Sequence, residues 1–76
     1  MNIENLVTMA NQIGSFYESM PDRKKSLHDI ADHIKKFWEP RMRRALLTYV
    51  DEHEASSELT PLVLESIQTN RGLLTP

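Results

Sequence analysis

Cysteine is absent from this 76-residue chain. That excludes disulfides, thiolate zinc sites and iron–sulfur ligation by the chain itself. Glycine is nearly as scarce, with two residues, and no stretch alternates apolar with polar side chains. Both absences argue against strands and against a glycine-rich phosphate loop. No apolar run approaches the roughly 20 residues of a membrane span. The opening Met1-Asn-Ile-Glu4 lacks a basic segment followed by an apolar one, so no signal peptide is expected and the chain reads as cytoplasmic. A nucleophile elbow and a pocket-forming sheet are missing too, and four short helices cannot enclose both a substrate and their own core. An enzyme acting alone is not expected, and no cofactor is assigned to this chain.

The charge that is present is unevenly placed. Residues 1–22 carry three acids and no base, residues 23–44 eight bases against three acids, and residues 45–76 one base against five acids. The middle is therefore basic between two acidic flanks, although the net charge is −2. The length allows one domain over residues 1–76, its last few residues expected to be loose. Such a domain buries only about 60% of its extended-chain surface, so a partner or self-association is a natural source of extra stability.

Apolar residues recur at helical spacing four times, giving an all-α fold: a small bundle of three amphipathic helices plus a short fourth. A first helix, about 3–19, carries Ile3, Leu6, Val7, Ala10, Ile13, Phe16, Tyr17 and Met20 on its stripe, with Asn2 as N-cap. Gly14 sits beside that stripe and leaves room for a neighbouring helix. A second helix, about 24–38, aligns Leu27, Ile30, Ala31, Ile34, Phe37 and Trp38, capped by Asp22 or Ser26. Pro40 suits the first turn of a third helix, about 40–53, whose inner face is expected to be Met42, Ala45, Leu46, Tyr49, Val50 and His53. After a polar connection, Thr60 caps a short helix opened by Pro61, on which Leu59, Leu62, Val63 and Ile67 point inward. It should stop near Asn70–Gly72.

Three groupings invite a chemical reading. In "HDIADH", His28 and Asp32, and Asp29 and His33, are i,i+4 pairs, but the two histidines lie five residues apart and point in different directions. Surface His–Asp contacts explain this cluster better than a metal site does. Lys24, Lys25, Lys35, Lys36, Arg41, Arg43 and Arg44 could meet phosphates, yet a pI of 5.8 and the acids Asp51-Glu52 weigh against a nucleic-acid binder. The twelve residues "HIKKFWEPRMRR" (33–44) hold the single Trp, one of two Phe and five of nine basic residues. Phe37 and Trp38 are expected chiefly in the core. Leu47, about 140° around the third helix from Met42, is expected exposed among Arg43, Arg44 and Asp51, as the apolar anchor of a partner surface with an arginine rim. Leu64 is similarly off its stripe, and Glu39 is placed to pair with Arg43.

Three stretches, "NLVTMANQIGSFY" (5–17), "IADHIKKFWEPRMRRALL" (30–47) and "LTPLVLE" (59–65), together resemble the delta subunit of cytoplasmic NAD-dependent formate dehydrogenases of the molybdenum or tungsten type. The resemblance spans roughly residues 3–67; the terminal "SIQTNRGLLTP" departs from the family pattern. It implies a non-catalytic accessory chain serving assembly or stability. The alpha subunit of such enzymes holds the molybdopterin guanine dinucleotide and most iron–sulfur clusters, and beta and gamma subunits carry flavin, further clusters and the NAD site. The implied partner is a larger subunit, alpha first. Partner contact is carried onto Phe37, Trp38, Glu39, Arg41, Arg43 and Arg44, which match the family motif. A homodimer formed in isolation is the alternative, and nucleic acid is a weaker one.

Overall fold

The computed structural model describes residues 2–53 and 56–76. Five helices follow one another: α1 (Ile3–Tyr17), α2 (Arg23–Phe37), α3 (Pro40–Glu52), α4 (Pro61–Thr69) and α5 (Arg71–Leu74). The all-α bundle expected from periodicity is what forms. The helix starts follow local chemistry. The side chain of Asn2 accepts from the Glu4 backbone N–H, that of Asp22 from Lys25 and that of Thr60 from Val63. Each satisfies a donor that an α-helix leaves orphaned at its first turn. Asp22 is thus the cap of α2. Ser26 is instead buried inside the first turn. Pro40 and Pro61 each sit at N1, where a missing N–H costs nothing.

One apolar cluster holds the helices together: Leu6, Val7 and Ala10 from α1, Leu27, Ile30, Ala31 and Ile34 from α2, Leu46, Leu47 and Val50 from α3, and Leu62, Val63 and Ile67 from α4. Trp38, Leu59 and Leu74 complete it from the segments between and after. The α2–α4 pair is the most extensive packing. It includes a polar link: buried Ser66 Oγ donates to the Leu27 carbonyl at 2.5 Å, and Asn70 Nδ2 donates to the same oxygen at 3.2 Å. α1 meets α4 where Gly14 faces Val63, so the close approach expected at Gly14 is present. Asn11 fastens α1 to the segment before α4, donating to the Glu58 carbonyl at 3.1 Å and accepting from the Thr60 N–H at 3.0 Å. Tyr49 Oη accepts from the Glu58 N–H.

Two expectations about α3 are corrected. Leu47 is 6% exposed, not a surface anchor. The inward face of α3 is centred on Leu46, Leu47 and Val50, while Met42, Ala45 and Tyr49 are half-buried and His53 is exposed. The cause lies at the other end of the chain. The short helix α5, beyond the expected stop near Asn70–Gly72, packs on α2 and α3. There Leu74 is 1% exposed, and Arg71 pairs with Asp51 at 2.6 Å. A second layer on that side turns α3 so that the leucine pair, rather than the Met42–Tyr49 edge, faces inward. Leu64, half-buried, packs against the core rather than standing clear of it.

Candidate partner-docking surface

The corner between α2 and α3 separates two adjacent aromatics. α2 ends at Phe37, and Trp38 leaves the helix in an extended conformation (φ −99°, ψ 138°) before Glu39-Pro40. Glu39, which precedes Pro40, is extended too (φ −64°, ψ 154°), as a residue before proline prefers, so the helix cannot run on into α3. The turn swings Trp38 into the core, 5% exposed, and leaves Phe37 outside, 72% exposed. Trp38 therefore meets its core expectation. Phe37 does not, because the helix ends between the two residues and the extended backbone at Trp38 sends the two side chains to different sides. Phe37 lies instead against His33 one turn earlier, ring centroids 4.6 Å apart.

Phe37 is not alone. Among the described residues the strongly exposed large apolar side chains are Met9, Phe16, Met20 and Phe37. They are strung along one seam between α1 and α2. Met9 and Phe37 share an open groove of about 470 Å³ with Gln12, Ile13, His33, Trp38 and Met42. Ile13 and His33 continue into a second groove with Phe16 and Tyr17, and Tyr17 into a third with Met20. Scattered apolar residues are normal on a surface, whereas a continuous strip marks a place where something binds.

The α1 side of the seam carries no ionisable acid or base other than a tyrosine: residues 5–17, "NLVTMANQIGSFY", hold no Asp, Glu, Lys, Arg or His. On α2 the charges beside the seam neutralise one another. Lys25 Nζ meets Asp29 at 2.9 Å and Lys36 Nζ meets Asp32 at 2.9 Å. The hydrogen bond from Lys36 holds the Asp32 carboxyl below its ordinary value, and the one that Lys25 donates to Asp29 raises Lys25. In "HDIADH" the hydrogen-bonded partners of the two aspartates are thus lysines, with His28 and His33 near Asp32. Among the described residues no group of three or more His, Asp or Glu side chains is placed to hold a metal ion.

The remaining candidates are spread over a different side. Arg41 and Arg44 are exposed and line a groove with Ile3, Tyr49, Glu52 and His53. Glu39 is exposed. Arg43 is half-buried with an enclosed Nε that has no acceptor among the described residues. The expected Glu39–Arg43 side-chain pair is not formed; the Arg43 N–H donates to the Glu39 carbonyl at 3.1 Å as part of the helix. Leu47, being buried, is not brought to this surface. Thus the 37–44 corner supplies Phe37 to the seam and Arg41 and Arg44 to its flank.

Sequence reasoning missed Met9 and put Phe16 in the core. The missed signal was the width of the α1 stripe. At 100° per residue, Phe16 through Val7 spans about half the helix circumference, more than one packed face covers. α1 buries the Leu6–Val7–Ala10–Gly14 half and leaves the Met9–Phe16 edge outside.

The bundle thus leaves a long apolar strip uncovered among the described residues. The chain belongs to the NADH-dependent formate dehydrogenase delta subunit family, FdsD, whose family model matches residues 5–67. No curated protein and no solved structure matches it. The matched region takes in α1, α2, α3 and most of α4, hence the whole seam, and stops before α5. No helix among the described residues is long and apolar enough to cross a membrane.

Proposed function

We propose that this delta subunit is a non-catalytic accessory chain that docks on a larger, cofactor-bearing subunit of a cytoplasmic formate dehydrogenase and supports its assembly or stability. The observation that carries the reading is the exposure of Phe37 at the end of an apolar strip within the family-matched region. Interface centres are depleted in charge and enriched in aromatics and Met, with Arg at hot spots. The seam has that composition, and Arg41 and Arg44 line a separate groove that begins next in the chain to the seam residue Met42. The alpha subunit is the first candidate partner, on the strength of the family resemblance.

Affinity purification of the tagged chain from its native cytoplasm tests this. Recovery of a larger subunit, with molybdenum or tungsten in the recovered material, is the expected result. Recovery of the tagged chain without either would refute the reading.

A further inference from the structure

We propose that, when no larger subunit is available, this chain pairs with a second copy of itself across the α1–α2 seam. The proposal goes beyond docking in the enzyme and stands on separate features of the seam.

The first is charge. Bringing two copies of one surface together usually sets like charges face to face. Here the α1 side contributes no charge between Glu4 and Glu18, and along α2 Lys25 and Lys36 are paired with Asp29 and Asp32, leaving Asp22 at the Met20 end as the acid without an ion-pair partner among the described residues. The middle of this face, from Met9 to Tyr17, therefore brings few like charges together on self-association, whereas the basic Arg41–Arg44 side would repel its own copy.

The second is shape. An isologous contact needs a surface that fits itself under a twofold rotation. The exposed ridge of α1 within the seam runs Met9, Gln12, Phe16, at helical spacings of three and four, so its centre falls near Gln12. A twofold axis there lays two α1 helices antiparallel and sets the Met9 end of one copy against the Phe16 end of the other. The seam offers both protruding rings, Phe16 and Phe37, and the open grooves beside them into which such rings can seat.

The third is area. The four strongly exposed apolar side chains present on the order of 400 Å². With Gln12, Ile13, His33 and Tyr17 around them, the strip approaches the roughly 800 Å² per partner of a standard interface. An interface at or below the standard size suits a transient dimer that can yield the seam to a larger subunit.

The absence of native cysteine makes the test direct, since one introduced thiol per chain reports on geometry. In the full chain, Gln12→Cys should form a disulfide-linked dimer on mild oxidation, while Lys24→Cys, away from the seam, should not. Sedimentation of the wild-type chain should shift from monomer to dimer with rising concentration, and Phe16→Asp with Phe37→Asp should abolish the shift while the far-ultraviolet circular dichroism stays unchanged. Wild-type protein that stays monomeric throughout a micromolar-to-millimolar series overturns the proposal. So does a dimer that survives the double substitution, or one that crosslinks through Lys24→Cys in preference to Gln12→Cys. Failure here leaves docking in the enzyme untouched, because that reading is tested by what co-purifies from the cell.

Discussion

Gly14 of α1 lies so close to Val63 of α4 that a β-carbon at residue 14 would overlap the Val63 Cγ2 methyl. Alanine at residue 14 would ordinarily strengthen a helix by up to about 1 kcal/mol. Overpacking against a β-branched side chain costs about 1–3 kcal/mol and should outweigh that gain. Gly14→Ala is therefore expected to lower the urea midpoint. Combining it with Val63→Ala should cost less than the two single changes added together, since the methyl in the way is gone. Additivity within error would mean that the two helices are not in contact there.

Leu47 and Arg44 are three residues apart on α3 and should behave oppositely. Leu47→Asp places an unpaired carboxylate in a buried site and is expected to destabilise the chain by more than about 4 kcal/mol, enough to unfold a domain this small. Arg44→Glu, on an exposed side chain, should leave the melting temperature within a degree or two. Thermal unfolding by circular dichroism checks both. A folded Leu47→Asp protein would restore Leu47 as a surface residue.

Ser66 tests the polar link between α2 and α4. Its hydroxyl is fully buried and donates to the Leu27 carbonyl at 2.5 Å. Ser66→Ala removes that donor and is expected to cost about 1 kcal/mol, moderated because Asn70 Nδ2 reaches the same oxygen. Ser66→Ala with Asn70→Ala should cost more than the sum of the two, leaving the carbonyl without a donor from α4. Denaturant titration of the four proteins in the cycle measures this.

Truncation after Asn70 removes α5, including Leu74, and uncovers the parts of α2 and α3 on which it packs. Losing one fully buried leucine alone is worth about 2–3 kcal/mol. The shortened chain is expected to melt well below the full one and to expose its α3 amides to faster hydrogen exchange. Unchanged exchange in α3 would show that α5 does not cover it.

The Lys36–Asp32 pair on α2 gives a pH signature of known sign. Asp32 is held below its ordinary value of 3.8 in the folded chain. Its contribution to stability is thus complete above that value and is lost as pH falls below it. The pair lies at the surface, with the Lys36 side chain 65% and the Asp32 side chain 35% exposed, so Asp32→Asn should have a small effect at neutral pH and less in high salt, and none in strong acid. Urea midpoints of both proteins between neutral and strongly acidic pH test the ordering.

The helices were legible in the sequence because amphipathic spacing, N-caps and prolines at N1 all agree from α1 to α4. The rotation of α3 was not, because it depends on α5, a four-residue element too short to show a period. Trp38 and Phe37 were assigned together because periodicity cannot say where a helix ends, and here one residue decides which ring is buried. The seam was half visible: its residues stood in the sequence as part of an over-wide apolar stripe, but which edge of that stripe stays uncovered is settled by the placement of α4.

Co-purification of the larger formate dehydrogenase subunit with a tagged chain carrying Phe16→Ser and Phe37→Ser tests the central claim most directly. Both side chains are exposed, so the variant should keep the wild-type circular dichroism and melting temperature. The account predicts at least a tenfold loss of the recovered subunit, about 1.4 kcal/mol or more of binding free energy. Recovery at the wild-type level by the folded variant would contradict it.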